Sequence, residues 1–165
     1  MTVDSYTRPF PAKSLELMKV TFGNIFFYYD GDPVHIPEMY LPCLIVDVQS
    51  SPVAGRAPTG MVRMEHTVSI QAEFNKKEDF NKAPDKTFVK ARLERIAEGI
   101  DPDTGQLGEQ TIVGVLQRNY TLGNLSTGQQ LTVDYGLFPR GKDVLTQGVT
   151  VTGVFEDLQI IGTRT

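Results

Sequence analysis

Two histidines and the single cysteine, His35, His66 and Cys43, lie close in sequence to Glu38 and Glu65. Imidazole, thiolate and carboxylate are all zinc ligands, yet these spacings match no ligand pattern. The simpler reading is a loop histidine, a strand histidine and a small buried thiol. Asp101-Pro-Asp103-Thr-Gly105 sets two carboxylates before a glycine, as calcium loops do, but lacks a bidentate glutamate at the right offset. Asp, Pro and Gly at these places are also what a tight turn requires. There is no phosphate-cradling glycine motif, no nucleophile elbow and no acid/base pair that spacing alone assembles. The sequence therefore predicts no catalytic residues, no metal and no cofactor: the protein is expected not to be an enzyme.

The scaffold that must carry these residues is 165 residues long, enough for one domain with a real core. One domain over 1–165 is expected, with 1–16 as an N-terminal arm. A single cysteine excludes an internal disulfide and a Cys-rich zinc module. A net charge of -4 offers no broad basic surface for phosphates, which argues against tight nucleic-acid binding. No apolar run approaches the roughly 20 residues that span a bilayer, and no signal-peptide pattern opens the chain. A soluble protein without a membrane anchor is the expectation.

Residues 17–29 are rich in β-branched and aromatic side chains, and Asp30-Gly31 follows as a hairpin signal, so strand, turn and strand are predicted there. Leu44, Val46 and Val48 alternate with Cys43, Ile45, Asp47 and Gln49, the period of a half-buried strand. Residues 50–60, dense in small residues, Gly and Pro, form a long loop. His66, Val68, Ile70, Ala72 and Phe74 then occupy one side of a strand, with Thr67, Ser69, Gln71 and Glu73 on the other. Residues 75–82 predict a short helix ending before Pro84, the only helix expected. Val89, Ala91 and Leu93 alternate with Lys90, Arg92 and Glu94, and with 110–122 they predict a hairpin of two long strands around a turn at 99–108. Further strands are placed at 130–137 and 148–160, separated by the turn residues Phe138-Pro139-Arg140-Gly141. The fold class is mainly β and antiparallel.

Several segments, in order, resemble the tail-tube proteins of contractile-tailed phages and phage-tail-like bacteriocins. They are Phe26-Phe27-Tyr28-Tyr29-Asp30-Gly31 leading to Leu41-Pro42, the small-residue loop ending Ala57-Pro58-Thr59-Gly60, and above all the stretch from Val89 to Leu122 with Gly99-Ile100-Asp101, Gly105, Gly108, Glu109 and Tyr120. The similarity covers roughly residues 25–145 and rests on pattern and turn positions. The chain departs from the family in a longer N-terminal segment, in Pro102-Asp103 within the turn and in the residues after Leu145.

The resemblance implies an antiparallel β-sandwich or barrel with one short helix, its inner sheets joined into a hexameric ring β-barrel. The type VI secretion tube protein has a related architecture. Rings would stack into the tail tube of a contractile phage tail or related injection system, in a virion or particle assembled in the bacterial cytoplasm. The partners implied are further copies of the chain, a sheath protein, a tape-measure protein, baseplate and tail-terminator proteins, and DNA in transit. Hydrophilic strand faces would then line the lumen: Asp47, Gln49, Thr67, Ser69, Gln71, Glu73, Lys90, Arg92, Glu94, Gln117 and Asn119. Ring contacts would fall to the 50–63 loop, with Ser50, Pro52, Arg56, Pro58, Met61 and Arg63. The alternatives are a monomeric β-sandwich binding module, a tube-initiating subunit of the baseplate, and a cupin-like metalloenzyme using His35 and His66.

Overall fold

A computed structural model describes residues 9–50, 53–56, 62–81, 88–122, 126 and 128–159. Among these, helices α1 (Pro9–Phe22), α2 (Lys77–Asn81), α3 (Phe88–Ala97) and α4 (Ile112–Arg118) accompany strands β1 (Phe27–Asp30), β2 (Cys43–Ser50), β3 (Val53–Arg56), β4 (Val62–Asn75), β5 (Gly128–Gly141) and β6 (Val144–Gln159). The strands make one sheet in the order β1-β2-β4-β6-β5, with β3 added against β4. Every pairing is antiparallel except β1 with β2, which is parallel. The protein is thus β-rich but mixed α/β, and helices take the place of the second sheet of the expected sandwich. None of the described helices is long and apolar enough to cross a membrane.

The helical segments correct the strand predictions, and the reason lies in periodicity. In α1 the buried residues Phe10, Ser14, Met18 and Phe22 recur every four positions, one stripe of a helix. Proline at the first helical position costs no hydrogen bond, since that N–H has no partner in a helix anyway. Thus 17–22 is helical despite its β-favouring residues, Pro9 onward belongs to α1 rather than to an arm, and β1 runs parallel to β2 instead of turning back on a hairpin. In α3 Val89, Leu93 and Ala97 are buried while Ala91 is exposed, so the stripe has the helical period and not a period of two. The Asp79 carboxylate accepts the Val89 N–H at 2.7 Å, closing the first turn of α3. The second predicted long strand, 110–122, is helix α4 followed by a turn. Thr111 caps it by accepting the Gly114 N–H at 3.0 Å.

Residues 99–108 form the turn that the sequence predicted, now between two helices. The Asp101 carboxylate accepts the N–H groups of Asp103 at 2.8 Å and Thr104 at 3.3 Å, and Gly99 and Gly105 take positive φ values of 53° and 71°. The predicted turn at Phe138-Pro139-Arg140-Gly141 is instead the end of β5, and the chain reverses one step later at Lys142-Asp143. Strand β4 pairs along its whole length with β6.

One side of the sheet carries the core. Leu44 and Val46 of β2, Val68, Ile70, Ala72 and Phe74 of β4, and Val149, Val151 and Phe155 of β6 meet the apolar stripes of α1, α3 and α4. On the other side a strap, residues 31–42, crosses one end of the sheet and buries Ile36 against Cys43 and Ile45.

Candidate functional site

The sheet face turned away from the helices is hydrophilic across four strands. The register puts Asp47, Ser69, Thr152 and Thr132 in one row across β2, β4, β6 and β5. Ile45, Gln71, Thr150 and Asp134 make the next row, and Thr67, Val154 and Gln130 another. Neighbours along a row share a face, so the polar sets of four strands merge into a field of hydroxyls and amides that includes Asp47 and Asp134 and continues to Arg63, Glu65 and Glu156 along the same face. Thr150 Oγ1 donates to Gln71 Oε1 at 3.1 Å and Gln71 Nε2 donates to Glu73 Oε2 at 3.0 Å.

Of the eleven predicted lumen residues, Asp47, Thr67, Ser69, Gln71 and Glu73 share this face. Gln49 is exposed where the β2–β4 register shifts. Lys90, Arg92 and Glu94 are not on a strand. They stand on α3, on the helical side of the sheet, where Lys90 pairs with Glu94 at 3.7 Å as helix neighbours do. The Arg92 guanidinium lies 4.3 Å over the Phe74 ring and bonds Glu78 at 2.9 Å. Gln117 stands in the last turn of α4 and Asn119 follows the helix, both exposed on the same helical layer.

Arg63, expected in a contact loop, belongs to β4 and pairs across the sheet with Glu156 at 2.5 Å. Ser50 closes β2 and Arg56 closes β3, so the expected loop contains a strand. Pro52, Pro58 and Met61 lie outside the described residues.

Glu73 sits at the strap end of this face and is fully buried, so it faces no open lumen. Arg140 grips both its oxygens, Nε to Oε1 at 2.8 Å and Nη2 to Oε2 at 2.5 Å, and reaches Asp32 of the strap through Nη1 at 2.6 Å. Thr146 donates a further hydrogen bond to Glu73. The strap is also held by the Ile36 N–H on the Arg140 carbonyl at 3.0 Å and by Asn75 Nδ2 on Glu38 at 3.0 Å. Burial opposes the Arg140 charge, but the hydrogen bonds and charge of Glu73, then of Asp32, hold its pKa above the ordinary value. Sequence reading missed this group because Arg140 stood in a supposed turn and Asp32 in a supposed hairpin. The signal available was the alternation of β5 and β6, which places Thr132, Asp134, Thr150 and Thr152 on the polar side.

The metal-ligand types do not converge. Cys43 faces the strap side of the sheet, whereas His66 lies on the helical side, stacked on Phe10 at 4.2 Å. Among the described residues no three His, Cys, Asp or Glu side chains form a metal-holding group. The Cys43 thiol is pushed up to about 12, by burial first and then by the Glu73 charge, against a lowering by Arg140. The folded state thus keeps its proton where the unfolded chain, at the ordinary 9.0, loses it. This contribution to stability is whole below pH 9.0 and falls as pH rises towards about 12. The native thiol is accordingly expected to resist iodoacetamide at pH 8 and to be alkylated fully in urea. Rapid native alkylation would contradict the burial.

The fold and this face define a helix-backed mixed sheet with one wet side. No protein-family model matches the chain, and no curated protein matches it.

Proposed function

We propose that the chain is a structural subunit of a ring in a phage-tail-like conduit, with the polar sheet face turned to the lumen. The observation that carries the reading is the field of Thr67, Ser69, Gln71, Thr132, Thr150 and Thr152, bounded by two sheet edges that no described strand covers: β1 on one side and the 14-residue β5 on the other. A long unpaired edge is a template for a further strand. Joining β5 of one copy to the β1 side of the next pairs β1 and part of β5 in a head-to-tail contact that closes into a ring when the rotation is right. In the resulting barrel the wet faces point inward and the helices outward. A wall of hydroxyls and amides whose exposed charges are mainly carboxylates, Asp47, Asp134, Glu65 and Glu156, suits a polyanion that must slide and not stick.

In this reading the ring's partners are further copies, a tape-measure protein or DNA inside, a sheath outside, and baseplate or terminator proteins at the ends. The family resemblance adds little here: the hairpin it expects around Asp30-Gly31 is not formed, β1 being parallel to β2, and the 57–60 loop lies outside the described residues. The 89–122 stretch adds nothing, since it is helical.

Negative-stain electron microscopy over a concentration series, with sedimentation velocity beside it, tests the proposal. Closed rings with a central hole are expected, and single rings separate the end-of-tube role from stacked tubes. A monomer at every concentration would overturn it and leave a monomeric binding domain.

A further inference from the structure

We infer that the strap, residues 31–42, is a latch that opens as a unit while the sheet and its helix-backed core stay folded, uncovering Cys43 and the Arg140–Glu73 pair. The strap stands apart from the main core. Its apolar cluster, Ile36 with Cys43, Ile45 and the half-buried Tyr29 and Leu41, lies on the opposite side of the sheet from the residues that α1, α3 and α4 cover. Lifting the strap therefore leaves the main core intact, and a segment with its own small cluster opens at lower cost than the whole domain unfolds.

The attachments converge on one residue. Of residues 31–42 only Ile36 is buried, at 1% exposed. Its N–H donates to the Arg140 carbonyl at 3.0 Å, and Arg140 Nη1 donates to the Asp32 carboxylate at 2.6 Å. A further anchor, Glu38 with Asn75 at 3.0 Å and Lys77 at 3.5 Å, lies at the surface, where ion pairs hold weakly. Gly31 makes the hinge at one end: it takes φ 91°, donates its N–H to the Val46 carbonyl at 2.8 Å, and has nothing within 4 Å of where a Cβ would stand.

Two features oppose closing. Val34 is held at φ 66°, a left-handed conformation that strains a β-branched residue, with its N–H on the Asp32 carboxylate at 2.8 Å. Beneath the strap the Arg140 and Glu73 side chains, 5% and 0% exposed, are withheld from water, and opening returns solvation to both. The apolar gain from Ile36 is set against strain and desolvation, so the closed state is only modestly favoured. The extent of the polar face becomes a two-state property: it ends at the strap when closed and takes in Glu73, Arg140 and Thr146 when open.

Cys43 reads the latch, because Ile36 and Leu41 pack over it. Iodoacetamide labelling of the full chain at pH 8, at a rate proportional to reagent so that closing outruns reaction, measures the opening equilibrium. Circular dichroism of the same protein in urea measures global unfolding. The opening constant is expected to change little across low urea, because few residues are uncovered, whereas global unfolding responds steeply. Ile36→Ala should speed labelling roughly thirtyfold, and Asp32→Asn, at a half-exposed carboxylate, about threefold. Ile112→Val, in the main core, should lower the urea midpoint and leave labelling unchanged, since open and closed states share that core. Labelling that follows the urea slope of global unfolding, that quickens as much with Ile112→Val, or that ignores Ile36→Ala would overturn the latch.

Discussion

Glu73→Ala will cost about 3–5 kcal/mol of stability, because it leaves the Arg140 guanidinium buried without its main counter-charge. Arg140→Ala should cost a similar amount by the converse logic, stranding a carboxylate that is 0% exposed. Replacing both partners, as Glu73→Leu with Arg140→Met, should restore most of the loss, since apolar groups of similar volume need no partner. Urea unfolding followed by circular dichroism measures all three, and the non-additivity of the double variant is the diagnostic. Single variants within about 1 kcal/mol of wild type would mean that the pair is solvated and does not lock the strap. The lock matters to function because Asp32 and the Arg140 carbonyl hold the strap across the end of the polar face, and the strap sets where that face stops.

Phe74→Ala should be about as damaging, at about 3–5 kcal/mol, for a different reason: it empties the centre of the helix-backed core. Phe74 is fully buried, meets the Phe26 ring edge-on at 5.8 Å, and lies beneath the Arg92 guanidinium. Phe74→Leu keeps much of the volume and should cost clearly less. Differential scanning calorimetry at fixed pH distinguishes the two. Equal, small effects would contradict the packing of α3 on β4. This residue also marks where the lumen reading of Arg92 fails, since its guanidinium is stacked on the far side of the sheet from the wet face.

The residues that sequence reasoning placed well are those of the strands β2 and β4. There one face needs apolar groups and the other does not, so a period of two is written into His66, Val68, Ile70, Ala72 and Phe74 and into the polar residues between them. The turn at 99–108 was equally legible, because Asp, Pro and Gly have local reasons to be there that no tertiary contact alters. Val89, Leu93 and Ala97 were misread because a small residue, Ala91, fits either period, and only its exposure decides between them. α1 was misread because β-branched and aromatic residues favour strands by propensity, whereas burial every fourth residue against a sheet outweighs propensity.

By itself the amino-acid sequence determined the alternation of the central strands, the polar character of one sheet face and the local turns, because each depends on neighbours within a few residues. Only the tertiary structure decided which segments became helices, which strands lie side by side, and that buried Glu73, Arg140 and Thr146 meet one another and Asp32 of the strap. Those outcomes depend on partners as many as 108 residues apart, as Asp32 and Arg140 are, and no local pattern encodes a contact of that range.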